Sequence, residues 1–362
     1  MLRRTFLAGG GAAAAASALP AAAPSGGIPL GFDSYSIGRL RWKAIELLDY
    51  AAGLKLDTIQ LSSLGDYESL EPAHLQKVKD HADRLGIRID AGTGCICPSS
   101  ESYGKNQGDA REYLLKSLRV ARAVGSKSMR CFMGSGADRR GKLPLEVHME
   151  NTVKLFRSVR PEAVDLGVKI ALENHSGDMQ AREVRTIIEE AGRDFVGACL
   201  DTGNAIWVCE DPMVTLEILA PYVLTTHIRD AAVFEHPRGA AGQWVALGDG
   251  SVDFKRFIAR YRELCPSLPP VQLEIITGRK PQVLPYLEPD FWKLYPKMPA
   301  WELARFVALA KSGRPFLGDM LMVAGATQTP AVLEALKQQQ KADLERSLEY
   351  AKKALGLGVL AA

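Results

Sequence analysis

Four side chains of the kinds that bind divalent metal ions end apolar, strand-like runs in the second half of the sequence. They close the segments Ile-Ala-Leu-Glu173, Ala-Cys-Leu-Asp201, Leu-Thr-Thr-His227 and Val-Gln-Leu-Glu274. Because strand side chains alternate between two faces, apolar neighbours on one face leave these four residues on the other. Three carboxylates buried side by side need a compensating cation. Three oxygen ligands and one imidazole suit Mn²⁺, Mg²⁺ or Co²⁺, and Zn²⁺ also accepts them. The pattern predicts a site for one divalent metal ion.

Two further polar residues fall on the same face of their strands as these ligands. His175 lies two positions beyond Glu173, and Arg229 lies two positions beyond His227, so both are expected on the same inward face. We expect His175 to act on a substrate hydroxyl or in a proton relay, and Arg229 to bind substrate oxygens. The alternative is that both support the metal ligands without touching substrate.

Four other positions are candidates for weaker roles. Gln60 ends an earlier strand-like run on an inward phase, and Trp207 follows the Asp201 run; both are predicted to contact substrate, although Trp207 also suits a core position. Asp230 falls on the opposite face from Arg229 and is expected to orient its neighbours. The Asp138-Arg139-Arg140 loop is expected to be solvent-exposed.

The elements that would position these residues alternate regularly between strand and helix. Amphipathic, helix-like segments separate the short apolar runs and show apolar residues at three- and four-residue steps. The strand-like runs are Ile28–Ser34, Thr58–Ser62, Ile87–Ala91, Lys127–Met133, Val168–Glu173, Val196–Asp201, Leu224–Arg229 and Val271–Ile276. Eight parallel strands predict an α/β fold, a closed (β/α)8 TIM barrel. A doubly wound sheet is the alternative, but the Gly31-Phe-Asp-Ser-Tyr-Ser segment is no glycine-rich phosphate loop.

The last βα unit contains an insertion, predicted at residues 279–328, between the final strand and a long final helix, Leu333–Leu355. It is rich in proline and aromatic residues and includes a helix-like segment, Trp301–Lys311. Because loops that follow barrel strands lie on the active-site face, the insertion is predicted to form a lid. Packing for stability or for contact between subunits is the alternative. Residues 24–362 are otherwise expected to form one barrel domain.

Residues 1–23 have the pattern of a cleaved export signal. Arg3 and Arg4 precede a short, alanine-rich apolar stretch, and Ala21-Ala22-Ala23 offers a cleavage site. The arginine pair resembles a twin-arginine signal, which predicts export to the periplasm. No later run reaches the roughly 18 apolar residues of a membrane span.

The net charge and the cysteine spacing bear on which classes of protein this chain can belong to. The chain has 362 residues and a net charge of +3, which is too balanced for a dedicated nucleic-acid binder. Its six cysteines are irregularly spaced and include no CxxC pair, so most are expected to be buried and unpaired. The sequence is compatible with a homo-oligomer.

The motifs around the four ligands resemble those of the xylose isomerase-like barrel superfamily, and more closely its sugar phosphate isomerase/epimerase branch, with relatives among ketose 3-epimerases and inosose dehydratases. The segments that carry the resemblance are Leu-Glu173-Asn-His175, Cys-Leu-Asp201-Thr-Gly-Asn204, His227-Ile-Arg229-Asp230, Leu-Glu274 and Gly248-Asp-Gly250-Ser-Val-Asp253-Phe254. Arg130 in Arg-Cys-Phe is also similar to a family run. The insertion departs from the compact family pattern.

The resemblance implies that Glu173, Asp201, His227 and Glu274 hold the metal. It also implies that Glu173 and Glu274, with His175, are catalytic and move protons. A metal-bound carbonyl lowers the cost of the enediolate formed when the neighbouring carbon loses a proton. The expected activity is isomerisation or epimerisation of a free or oxidised sugar, since an exported protein rarely meets sugar phosphates.

Three alternatives remain. A lyase or dehydratase of keto-sugars or keto-inositols would use the same metal and then expel water or a glycosyl group. A non-catalytic sugar-binding barrel would keep the fold without turnover. A DNA-repair endonuclease of the same superfamily needs several histidine ligands, and most of the six histidines here fall on predicted helices or in loops.

Overall fold

A computed structural model describes residues 27–265, 267–323 and 328–359. The predicted export segment, residues 1–23, lies outside the described residues. The strands are β1 (Leu30–Asp33), β2 (Thr58–Leu61), β3 (Arg88–Cys95), β4 (Ser128–Phe132), β5 (Lys169–Glu173), β6 (Val196–Asp201), β7 (Val223–His227), β8 (Asp230–His236), β9 (Gly239–Val245), β10 (Val271–Leu273) and β11 (Gln282–Leu284).

Eight of these strands form the barrel. They are parallel and follow the order β10-β1-β2-β3-β4-β5-β6-β7. A parallel bridge from Ile228, just beyond β7, to Leu273 in β10 joins the two ends of the sheet. The (β/α)8 TIM barrel is therefore confirmed, and all carboxyl-terminal strand ends open at one mouth.

Helices connect the strands on the outside. They are α1 (Ala44–Gly53), α2 (Pro72–Leu85), α3 (Ala110–Ala123), α4 (Gly136–Arg140), α5 (Leu145–Ser158), α6 (Arg160–Leu166), α7 (Ala181–Ala191), α8 (Thr202–Ala205), α9 (Pro212–Leu219), α10 (Phe254–Leu264), α11 (Pro289–Trp292), α12 (Ala300–Ser312) and α13 (Pro330–Leu355). The periodicity predicts one helix over 144–166, but the structure divides it at Val159. Pro161 has no N–H to donate within a helix, so it is accommodated in the first turn of a new helix, which begins at Arg160.

The strand segments β8 and β9 form a hairpin that the sequence analysis missed. They pair antiparallel from Asp230 with Val245 to His236 with Gly239, and β11 of the insertion adds a third strand. Four consecutive small residues, Gly239-Ala-Ala-Gly, give β9 no alternating pattern of apolar and polar side chains. The hairpin stands directly beyond His227, at the mouth of the barrel.

The apolar side chains form two clusters. The larger lies between the barrel strands and the surrounding helices. The smaller joins the hairpin to the insertion and includes Trp244, Leu284, Phe291, Tyr295 and Phe306. The insertion is thus packed against the hairpin through its own core. Among the described residues no helix is both long and apolar enough to span a membrane.

Candidate metal centre

The four predicted ligands meet inside the barrel mouth. Glu173, Asp201, His227 and Glu274 each contribute one ligand-type atom, and these atoms all lie within 4.8 Å of one another. All four side chains are buried. The register explains the meeting, because Asp201 of β6 lies directly opposite His227 of β7.

His227 offers a nitrogen that the protein leaves unpaired. Its Nε2 lies 2.6 Å from Oε1 of Gln60 and 3.3 Å from Oδ2 of Asp33. Its Nδ1 is buried without a hydrogen-bond partner, 3.2 Å from Oε2 of Glu274 and 3.4 Å from Oε1 of Glu173. With the proton on Nε2, the Nδ1 lone pair faces the carboxylates, which is the arrangement of a metal ligand.

Two buried guanidinium groups balance part of the negative charge. Arg130 of β4 pairs with Glu173 through its Nε and Nη2 and donates from Nη1 to the carbonyl of Thr93 at 3.0 Å. Arg229 pairs with Asp201 and lies 2.6 Å from Oε2 of Glu274. Both guanidinium groups are nearly inaccessible to solvent.

The formal charges leave room for a divalent cation. Four carboxylates, the three ligands and Asp33, face two guanidinium groups, so the cluster carries two excess negative charges when His227 is neutral. This excess, the unpaired Nδ1 and the mixed oxygen and nitrogen donors all fit one divalent ion.

The pKa values report the same environment. Burial alone would raise the pKa of Glu173, but the charge of Arg130 and that of the protonated His227 ring hold it well below its usual range. Burial would lower the pKa of His227, but neighbouring groups, Glu173 and Glu274 among them, raise it well above its usual range, so a metal ion at Nδ1 would take the place of a proton. Burial opposes ionisation of Glu274 as well, and Arg229 and His227 lower its pKa to about 2. For Asp201 burial prevails over Arg229 and raises the pKa to about 7.

A glycine makes room for Arg229 in this cluster. A Cβ on Gly203 would stand 2.3 Å from Cγ of Arg229, a separation that real atoms do not adopt. The guanidinium then lies over the ring of Trp244, 4.7 Å from its centroid. The Nη1 of Arg229 is buried and has no partner among the described residues. The binding of a substrate oxygen by Arg229 stays a prediction.

The ring of His175 lies beside the ligands. It stacks on Phe132 with centroids 3.7 Å apart, and its Nδ1 donates to the carbonyl of Gly134 at 2.7 Å. Burial lowers the pKa of His175, more than the charge of Glu173 raises it. The neutral ring therefore keeps a lone pair on Nε2, which suits the predicted proton relay.

Gln60 and Trp207 are the two further residues predicted to contact substrate. Gln60 is fully buried, and its carbonyl oxygen engages His227. Trp207 is half-buried and meets Trp244 edge to face at 5.0 Å. Its Nε1 has no hydrogen-bond partner among the described residues.

Asp230 organises the loop that follows the hairpin. Its carboxylate accepts hydrogen bonds from the backbone N–H groups of Ala231, Gly248 and Gly250, at 2.8, 3.1 and 2.9 Å. A Cβ on Gly250 would stand 2.1 Å from the carboxylate, which explains glycine in the Gly248-Asp-Gly250 motif. This arrangement agrees with the orienting role expected for Asp230.

One expectation for this face was wrong. Residues 138–140 do not form a solvent-exposed loop, because they belong to helix α4, where Asp138 and Arg139 are buried. Arg139 donates to the carbonyl groups of Asp178 and Leu294 and pairs with Glu183. These distant partners give no local sequence signal.

Two polar neighbours of the ligands were given no role in the sequence analysis. Asn204 donates from Nδ2 to Oε1 of Glu173 at 3.0 Å and to Oδ2 of Asp201 at 2.8 Å. Asp33 ends β1 opposite Gln60 and contacts His227. The strand-end position of Asp33, equivalent to that of Gln60, was the signal that could have found it.

The comparisons with known proteins agree with this fold. The chain matches the family described as the Xylose isomerase-like TIM barrel over residues 48–265, more than half of its length, and it belongs to that family. Among curated proteins it is similar to 3-oxo-isoapionate decarboxylase of Pectobacterium atrosepticum, with 26% identity over 211 residues, 58% of this chain and 69% of the relative.

Solved structures share the architecture. A D-psicose 3-epimerase in the presence of D-fructose has a TM-score of 0.58 at 15% identity, covering 91% of this chain and 99% of that one. The IolI protein with a bound zinc atom has a TM-score of 0.50 at 16% identity, covering 78% and 95%. At these identities the likeness shows a common fold.

Proposed function

We propose that this protein is a metal-dependent enzyme that isomerises or epimerises a small sugar or oxidised sugar. The observation that carries the proposal is the meeting of Glu173, Asp201, His227 and Glu274 within 4.8 Å, with the unpaired Nδ1 of His227 among them. These residues would hold one divalent ion. Such an ion polarises a carbonyl and its neighbouring hydroxyl and so acidifies the carbon between them.

The chain's own residues then supply proton transfer and positioning. Glu274 has the more accessible carboxylate, since Glu173 is fully buried and accepts from Arg130 and Asn204. We assign Glu274 to proton removal, after which its protonated carboxyl can return the proton on the same face. Return to the opposite face, as epimerisation requires, is assigned to Glu173 after it takes a proton from solvent. The low pKa of each carboxyl keeps it ionised at neutral pH, so proton removal depends on an acidified substrate carbon. The free Nη1 of Arg229 binds a substrate oxygen.

Solvent exchange tests this proposal directly. The metal-loaded protein is incubated in D2O with ketoses, aldoses and the corresponding sugar acids, and products are analysed by mass spectrometry and NMR. We expect deuterium at the carbon beside the carbonyl in a product of otherwise unchanged mass. Glu274→Gln should reduce exchange at least about 100-fold, the lower range for a lost general acid–base group.

The matched control is Glu235→Gln, which removes an exposed carboxylate from the hairpin. It should leave exchange unchanged. A protein that binds sugar but exchanges no deuterium with any of these compounds would contradict the enzyme proposal and favour a non-catalytic sugar-binding barrel.

A lyase is the second candidate, and one observation favours it. The curated relative named above is a decarboxylase. Loss of CO2 from a 3-oxo acid also produces an enediolate or enolate, which the same metal ligands would stabilise. The same incubations distinguish the two reactions, because a lyase releases CO2, water or a glycosyl group and an isomerase gives a product of equal elemental composition.

A further inference from the structure

A cavity of about 790 Å³ is lined by the segments that follow β1, β2 and β10, on the face of the barrel where the strands end. Its wall continues the strands that carry the cluster. Ser34 follows Asp33, Ile275 follows Glu274, and Ser62 lies two residues beyond Gln60. The cavity therefore lies on the same face of the barrel as the candidate metal centre, between the barrel and helix α13.

The charged side chains that line this cavity are mostly basic. They are Arg39, Arg41, Arg279 and Lys337. Among the residues that the structure describes, the guanidinium groups of Arg39, Arg41 and Arg279 form no ion pair, whereas Lys337 pairs with Glu334 at 3.1 Å. Three cations without protein partners at one cavity create a field that attracts anions.

The acidic residue of the cavity wall is already engaged. Asp66 accepts from the hydroxyl of Ser34 at 2.6 Å and from the backbone N–H of Ser63 at 3.1 Å. Burial raises the pKa of Asp66, more than the Ser34 hydrogen bond lowers it. Its carboxylate thus holds the loops after β1 and β2 together and leaves the arginines unpaired.

The loop that carries the first two arginines is held in place. The backbone N–H of Arg39 donates to Oε1 of Gln340 on α13 at 3.1 Å. Tyr35, in the same segment, is 53% exposed and lines the cavity. An aromatic ring beside cationic groups suits a ligand with an apolar sugar face and a charged substituent.

We propose that the substrate carries an anionic group, a carboxylate or a phosphate, which Arg39, Arg41 and Arg279 bind in this cavity while the carbonyl end reaches the metal ligands. The proposal rests on the function proposed above for its reactive end. Guanidinium groups suit both anions, because their planar N–H donors match pairs of oxygens.

Equilibrium binding tests the anionic requirement without turnover. The metal-loaded protein is titrated by calorimetry with D-glucose, D-glucuronate and D-glucose 6-phosphate, which share a carbon skeleton and differ in charge. We expect at least one of the two anions to bind about tenfold or more tightly than glucose, from three exposed ion pairs of modest strength. The tighter anion identifies the carboxylate or the phosphate as the group recognised.

The variant Arg39→Gln/Arg41→Gln/Arg279→Gln should remove this preference and keep the metal content and the weak glucose binding. The control Arg119→Gln removes an exposed arginine from α3 and should change nothing. Anion binding equal to glucose binding, no anion binding at millimolar concentration, or a preference that survives in the triple variant would overturn the proposal. Failure of the proposed activity shows instead as absent deuterium exchange, with the anion preference intact.

Discussion

Gln60 and His227 come from strands on different sides of the barrel, and the Gln60 Oε1 lies 2.6 Å from the His227 Nε2. This contact assigns the imidazole proton to Nε2 and leaves Nδ1 for the carboxylate cluster. Asp33 supports the same orientation from 3.3 Å. A side chain predicted to touch substrate therefore holds a metal ligand in position.

Replacement of Gln60 is the first prediction. Gln60→Leu removes the acceptor for the Nε2 proton, so the ring loses its preferred tautomer, and metal affinity should fall about 10- to 100-fold. Isothermal titration with Mn²⁺ measures the change. Gln60→Glu retains an acceptor and should bind far better than Gln60→Leu; equal affinity of wild type and Gln60→Leu would show that the contact does not position the ligand.

Metal removal is expected to destabilise the fold. A metal that binds only the folded state at 100 times its dissociation constant adds about 2.7 kcal/mol to the free energy of unfolding. Treatment with EDTA should lower the Tm, and Mn²⁺ should restore it. The variant His227→Gln should lose this response, while His236→Gln, at the end of the hairpin, should keep it. An identical Tm with EDTA and with Mn²⁺ would argue against the metal centre.

Stability should fall as the pH rises from about 4.5 to about 8 because of Glu210. Burial raises its pKa from 4.5 to about 8, despite hydrogen bonds from Thr215 and from the N–H of Ala181. The folded state therefore holds a proton that the unfolded state has released. The contribution of Glu210 to the free energy of unfolding is complete below about pH 4.5. It is lost as the pH rises through 8.

The variant Glu210→Gln should remove this dependence. Relative to wild type it should gain at least about 1 kcal/mol in the free energy of unfolding between pH 5 and pH 9, since one pKa unit corresponds to about 1.4 kcal/mol. Urea unfolding at both pH values measures the difference. Glu190→Gln, an exposed change on α7, is the control. Parallel pH profiles for wild type and Glu210→Gln would refute the prediction.

The insertion is anchored by a buried carboxylate. Glu302 of α12 is inaccessible to solvent and pairs with Arg182 of α7 through Nε at 3.2 Å and through Nη2. Arg182→Ala leaves this charge unpaired and should cost about 3 kcal/mol, whereas the double change Arg182→Met/Glu302→Met should cost less. Urea unfolding and proteolysis within 313–323 report the loss. Equal stability of Arg182→Ala and wild type would show that the pair anchors nothing.

Export is the last prediction. Arg3→Lys/Arg4→Lys should leave the uncleaved chain in the cytoplasm, because the twin-arginine pathway reads the arginine pair. Fractionation of cells that express each form, followed by immunoblotting, measures the distribution. The substitution Arg119→Lys, outside the signal, is the control. Normal periplasmic delivery of the double variant would exclude this route.

Much of the barrel could be predicted from the sequence because each signal is local. The eight apolar runs and the intervening periodic segments depend on neighbours within a few residues. The strand face on which each metal ligand lies follows in the same way from the alternation of side chains along a strand. The hairpin Asp230–Val245 escaped because Gly239-Ala-Ala-Gly offers no alternating pattern, and its strands are held by pairing with each other and with the insertion.

The sequence by itself determined which residue types stand at the strand ends, and hence the metal-binding chemistry of Glu173, Asp201, His227 and Glu274. Only the tertiary structure decided which groups these side chains meet. Arg130 pairs with Glu173 across 43 positions of the chain, and Gln60 meets His227 across 167. Strand alternation is a property of neighbouring peptide units, but such distant contacts exist only after the barrel closes and the register of its strands is set.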